Sequence, residues 1–174
     1  MPRRYYRRRI VNKDKYSIEQ TAIRTAPINS WTTVAAIPPN IAQSRQFKIP
    51  ILAPTDMQGM RKVKHLTFTI SNSEWPNTEA EALLYALVYV PQGYSPQDIN
   101  FPAPNSAVQL YDANQYVMSS GALDFSGGPL RIRTPLSRNL NSGDSIYLIL
   151  ASPYYQTEKD NIFTIEVKYA ITLQ

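Results

Sequence analysis

Residues 162–173, Ile-Phe-Thr-Ile-Glu-Val-Lys-Tyr-Ala-Ile-Thr-Leu, decide the fold class. Phe163, Ile165, Val167, Tyr169, Ile171 and Leu173 fall on one face of an extended chain, while Thr164, Glu166, Lys168 and Thr172 fall on the other. Strand side chains alternate between faces, so this run is a strand with one face toward a core. The pattern returns from Arg61 to Asn72, where Leu66, Phe68 and Ile70 oppose His65, Thr67 and Thr69. That phase predicts His65 as a polar residue on the non-core face. Residues 129–134 alternate Leu130 and Ile132 with Arg131 and Arg133, and residues 144–151 follow the turn signal Asn141-Ser142-Gly143, so both read as strands.

Working outward, Tyr16–Thr25, Trp31–Ile37 and Phe47–Leu52 are β-rich runs parted by Pro27, by Pro38 with Pro39 and by polar spacers. Residues 115–125 hold a strand or hairpin around Gly121, closed by Gly127 and Gly128. One stretch is ambiguous: Thr78 and Glu81 have capping-box spacing before the apolar run 82–90, which would open a helix. Tyr85, Val88, Tyr89 and Val90 favour a strand, and Pro91 with Gly93 ends the run at strand length. The reading is at most a helical turn near 78–82, then a strand buried on both faces. Eight or nine strands at turn-punctuated spacing, with long loops at 72–82 and 92–114, make an all-β sandwich of the jelly-roll kind.

With 174 residues the chain is long enough for one domain with a full core. Cys is absent and His65 is the single histidine, which removes the usual material for structural zinc, thiol catalysis and histidine acid–base relays. No cationic stretch is followed by a signal-peptide core, and no run approaches the roughly 18 apolar residues of a membrane span. A chain without a membrane segment is therefore expected. Charged residues make up only 18% and tyrosines number twelve, the composition of a subunit whose surface is covered by neighbours.

The net charge of +5 is concentrated at one end. Residues 1–15 carry seven bases (Arg3, Arg4, Arg7, Arg8, Arg9, Lys13, Lys15) and one acid, Asp14, giving +6; the other 159 residues carry 11 bases and 12 acids, giving −1. Residues 1–15 are accordingly an arm and 16–174 the folded domain. Tyr5 and Tyr6 interrupt the arginine run, and guanidinium forks beside stackable rings suit phosphates and unpaired bases. An arginine-rich run of this length equally fits a nuclear-import signal, which is compatible with nucleic-acid contact.

A search for catalytic chemistry returns little. Asp98, Asp112, Asp124 and Asp144 lie beside turn residues, where Asp bonds its own backbone. Loop carboxylates of this kind can hold calcium between subunits, but no EF-hand spacing is present, and no metal or other cofactor is expected. Ser119, Ser120 and Gly121 lack the nucleophile-elbow frame, and there is no phosphate-cradling Gly-rich loop. The chain is expected not to be an enzyme. Trp31, Trp75 and the tyrosines are candidate carbohydrate or receptor platforms, with Trp75 preferred because Ser73, Glu74, Trp75, Pro76 and Asn77 form a loop that should project, although a subunit contact is the more frequent role of an exposed tryptophan in an oligomer.

Five segments in order, RRYYRRR at 3–9, RKVKHLTFTI at 61–70, YALVYVPQG at 85–93, LYDANQYVMSSG at 110–121 and LSRNLNSGD at 136–144, resemble the capsid proteins of small circular single-stranded DNA viruses that encode a replication initiator, the circovirus-like group. The resemblance spans most of the chain. It implies one eight-stranded antiparallel jelly roll with two four-stranded sheets. It also implies about sixty copies in a T=1 icosahedral shell and arms turned inward to the single-stranded DNA genome, with assembly in the host nucleus. Arg61, Lys62, Lys64, Arg131 and Arg133, at strand starts, would then help line the interior, although an ordinary solvated strand face explains them equally well. The competing class is a non-viral jelly-roll binding module, either lectin-like or a binder of single-stranded nucleic acid.

Overall fold

A computed structural model describes residues 16–37, 42–56, 58–72, 83–99, 115–124, 128–155 and 162–173. These residues form ten strands: β1 (Ser17–Arg24), β2 (Thr32–Ile37), β3 (Ala42–Leu52), β4 (Arg61–Asn72), β5 (Leu83–Val90), β6 (Tyr116–Leu123), β7 (Leu130–Arg133), β8 (Ser137–Leu140), β9 (Ser145–Tyr155) and β10 (Phe163–Leu173). A single 3₁₀ turn, Ile28–Ser30, precedes β2.

Two five-stranded sheets result, all of their pairings antiparallel. The first runs β1-β10-β4, with β7 and β8 both pairing along β4; the second runs β2-β3-β9-β5-β6. The pairs nest: β1 with β10, β3 with β9, β4 with β7 and β8, β5 with β6. Nested pairs divided between two sheets are the double Greek key of a jelly roll. The expected eight strands become ten for two local reasons. β2 folds back on β3 as an added edge hairpin, and the strand along β4 is split where Thr134 and Pro135 interrupt the ladder, with Thr134 N–H still donating to the Leu66 carbonyl at 2.9 Å. Proline has no N–H to continue the ladder, so β8 begins beyond it.

The inner faces of the sheets make one core. Leu66, Phe68 and Ile70 of β4 meet Phe163, Ile165 and Val167 of β10 and Ile146, Leu148 and Leu150 of β9. Each such side chain contributes about 1.5–3 kcal/mol when removed from water. Trp31 lies inside this core, 3% exposed, with its ring 5.6 Å from Phe47 and 6.0 Å from Phe163, and its Nε1–H donates to the Ala26 carbonyl. A surface-platform role for Trp31 is thereby ruled out.

β5 is a strand and not a helix, and its alternation explains the buried run. Leu83, Leu87 and Tyr89 point into the core, while Ala86, Val88 and Val90 point out and are still buried, with Ile149 and Ala151 of β9. Ile99, at the end of the segment 91–99 that follows β5, inserts into this second apolar cluster. The Gln46 side chain fastens the cover at two points: its Oε1 accepts from Ile99 N–H at 2.9 Å and its Nε2 donates to the Ile99 carbonyl. Lys48 donates to the Pro96 carbonyl at 2.8 Å and pairs with Asp98 at 2.6 Å. Tyr85 of β5 lies over Gly121 of β6, where an added Cβ would sit 2.9 Å from the ring. The segment around Gly121 is one strand, β6, paired along β5.

β4 carries a bulge. Lys168 pairs with Thr67 and Ala170 with Lys64, so the single residue Tyr169 stands opposite both His65 and Leu66. His65 takes up the extra length at φ 54, a left-handed conformation that few non-glycine residues adopt. It is exposed, as its non-core placement requires, and it switches the inward phase of the strand from Arg61 and Val63 to Leu66, Phe68 and Ile70.

Candidate nucleic-acid interface

The bulge decides where the basic residues of β4 go. Arg61 and Val63 turn inward, so Lys62 and Lys64 turn outward. On β7, Leu130 and Ile132 pack against the core and leave Arg131 and Arg133 exposed on the same outer face. Register places Arg133 beside Thr67 and Arg131 beside Thr69. β10 adds Lys168, next to Thr67 on the other side, and β1 adds Arg24, paired with Thr164. The outward face of the first sheet thus gathers Arg24, Lys62, Lys64, Arg131, Arg133 and Lys168 among the described residues, with Glu166 as its carboxylate.

Four of the five basic residues singled out in the sequence are therefore neighbours, and Arg61 is not one of them. Arg61 is 8% exposed; its guanidinium donates to the Asp144 carbonyl at 2.9 Å and the Ala53 carbonyl at 3.2 Å, which joins the ends of the two sheets. Sequence reasoning missed Arg24 and Lys168. The signal for both was available: Lys168 sits on the polar side of the 162–173 alternation, and Arg24 sits one residue beyond Ile23, which packs on the core. The arm residues Arg3, Arg4, Tyr5, Tyr6, Arg7, Arg8, Arg9, Lys13 and Lys15 lie outside the described residues, as do Glu74, Trp75 and Asn77.

Between the cations the face holds the hydroxyls and amides of Gln20, Thr67, Thr69, Ser71, Ser137, Asn139 and Thr164, with the apolar Ile18, Ala22 and Ala170 toward its β1 edge. Lys64 rests its ammonium 4.4 Å from the centre of the Tyr16 ring. Among the described residues none of the six cations forms an ion pair, whereas Lys48 on the opposite sheet is paired with Asp98. Unpaired cations interleaved with neutral donors can accept a run of phosphates.

The carboxylates are accounted for differently. Asp144, buried at 4% exposure, accepts from Asn141 N–H at 2.8 Å, Gln92 N–H at 3.1 Å and the Tyr89 hydroxyl at 2.9 Å. It closes the turn in which Gly143 stands at φ 80, a position where a Cβ would meet the Gln92 side chain. Burial, together with the Asp144 carboxylate, pushes the Tyr89 hydroxyl above its ordinary pKa, and Arg138, 4.0 Å over the ring, pulls the other way. Burial also raises Tyr169, aided by Glu19 and opposed by Arg61. Asp98 is held by Lys48, and Asp112 lies outside the described residues. Among the described residues no cluster of three or more His, Cys, Asp or Glu side chains is placed to hold a metal ion, and no helix is long and apolar enough to cross a membrane.

No family model matches the chain, and no curated protein matches it. Among solved structures it is similar to a chain of desmodium yellow mottle tymovirus, at 14% identity and a TM-score of 0.38, over 91% of this chain and 82% of that one.

Proposed function

We propose that this chain is a coat protein that self-assembles into a sixty-subunit, T=1 icosahedral shell around circular single-stranded DNA. The observation that carries the reading is where the arm joins the fold. Residues 1–15, at +6, lead into β1, the end strand of the sheet whose outer face holds six of the described cations. One pole of charge is thus offered to nucleic acid, while a near-neutral, tyrosine-rich body is left to pack against copies of itself. Closed symmetry ends such growth at a particle. The arm binds weakly alone, but many arms facing one lumen raise their effective concentration and turn a sequence-blind contact into packaging. The same arginine run fits nuclear import, and this supports assembly in the host nucleus with the product in the virion.

Negative-stain microscopy of the purified chain tests the reading. Uniform spheres of roughly 20 nm are expected from about sixty domains of this size in one layer. A chain that stays monomeric across concentration and salt would instead be the binding module. Deleting residues 2–9 is expected to leave shells that form but retain little nucleic acid; loss of shells with unchanged nucleic acid per remaining particle would contradict the division between arm and body.

A further inference from the structure

Resting on the coat-protein reading, we propose that the outward face of the β1-β10-β4-β7/β8 sheet is a second nucleic-acid surface. It holds the sugar–phosphate backbone of the single strand without reading bases, and so fixes which wall of the sandwich faces the shell interior. Charge segregation is the first support. Among the described residues this face carries six cations and one carboxylate, +6 − 1 = +5; the rest carry Arg45, Lys48, Arg61 and Arg138 against Glu19, Asp56, Asp98, Asp124 and Asp144, +4 − 5 = −1. The described residues thus sum to +4, and that excess lies on one wall, at +5 almost as positive as the arm.

The chemistry of the face is the second support. Arg, Lys, Ser, Thr, Asn and Gln are the side chains that contact phosphate and sugar, and here they are interleaved. Tyr16, the aromatic at its margin, already lies against Lys64, so among the described residues of this face bases find no open ring to stack on. The arm, with Tyr5 and Tyr6, offers stacking; the wall offers charge and hydrogen bonds alone. Spacing is the third. Arg131 and Arg133 are two residues apart on one strand, about 6.8 Å, and Lys168 lies two strands from Arg133 in the same register row, about 10 Å. That is a continuous track for a backbone and not a pocket for one anion.

The test uses the full-length chain with Lys62→Gln, Lys64→Gln, Arg131→Gln and Arg133→Gln combined, and a second variant with Arg24→Gln and Lys168→Gln. All six side chains are outside the core, so folding should survive. The fourfold variant lowers the inward charge from +11 (arm plus wall) to +7, so shells of unchanged diameter should hold roughly a third less nucleic acid. For unassembled chain on oligo(dT), the log–log salt slope should shallow by about 0.7 × 4, or roughly 3, and an abasic oligomer should show the same loss. The twofold variant should shift both readouts about half as far. Particles with undiminished nucleic acid would overturn the proposal by showing the wall faces outward. Loss of particles with oligo(dT) binding intact would also overturn it, by making the wall a subunit interface. If the unsubstituted chain forms no particles while the slope still falls, the coat reading fails and the nucleic-acid wall stands.

Discussion

The two walls of this sandwich share an inner core and differ on the outside. The outer face of the β2-β3-β9-β5-β6 sheet carries a covered apolar cluster: Val88, Val90 and Ile149 pack with Ile99, whose segment Gln46 and Lys48 hold in place. The outer face of the β1-β10-β4-β7/β8 sheet is cationic and bare, with Arg131, Arg133 and Lys168 exposed. Both are antiparallel sheets with one face in the core, so the difference lies in what each alternate residue is for. One wall spends its outward residues on stability, and the other keeps them for a partner.

Leu148 and Ile149 give the strongest test of that contrast, because they are adjacent on β9 and face opposite ways, both with 0% exposure. Leu148→Ala and Ile149→Ala should each cost about 2–5 kcal/mol in denaturant unfolding, whereas Lys168→Ala on the bare wall should stay within about 0.5 kcal/mol. An Ile149→Ala midpoint equal to that of the unsubstituted chain would mean the covered wall is not a second core. The next largest effect separates Arg61 from Lys62. Arg61→Ala strands the buried Asp144 carbonyl and the part-buried Ala53 carbonyl and should lose about 2–3 kcal/mol, whereas Lys62→Ala should lose almost nothing and instead weaken oligo(dT) binding.

Gln46→Leu is expected to cost about 1–2 kcal/mol, because it leaves Ile99 N–H and C=O without partners. Its signature should be local: faster amide exchange and proteolysis within 91–99, with the bare wall unaffected. The smallest effect concerns alkali. Tyr89 and Tyr169 have folded pKa values above the ordinary 10.0, so the native state retains protons that the unfolded chain gives up. Stability contributed by those neutral hydroxyls is complete below pH 10 and falls as pH rises through the folded values. Tyr89→Phe should flatten that fall, measurable as unfolding midpoints above pH 10, where the unsubstituted chain loses stability more steeply.

Periodicity made β4 and β10 legible because each has one buried face that demands alternation, whereas β5, buried on both faces, was legible from its β-branched and aromatic residues and from the stop at Pro91 with Gly93. β8 escaped notice because Ser-Arg-Asn-Leu is too short and too polar to alternate visibly; only its pairing with β4 makes it a strand. Trp31 illustrates a different limit. A tryptophan beside polar threonines reads as a surface platform until Phe47 and Phe163, distant in sequence, are seen to enclose it. The basic wall was legible in part: strand-start lysines and arginines were visible, but their common face follows from register, and the removal of Arg61 follows from the bulge.

The bulge at His65 has a consequence for the gene as much as for the protein. Codon substitutions there are cheap, because glycine or asparagine accepts the left-handed backbone as well as histidine does. Loss of the codon is cheap too, because Lys64 and Leu66 then become consecutive and alternate in the phase they already have, opposite Ala170 and Tyr169. A β-branched residue is not: drawn into regular extended backbone it would claim a place in the alternation, driving two lysine ammoniums between the sheets at several kcal/mol each and ejecting Arg61 and Val63 into solvent. At that position backbone conformation is the inherited quantity, and the imidazole is incidental.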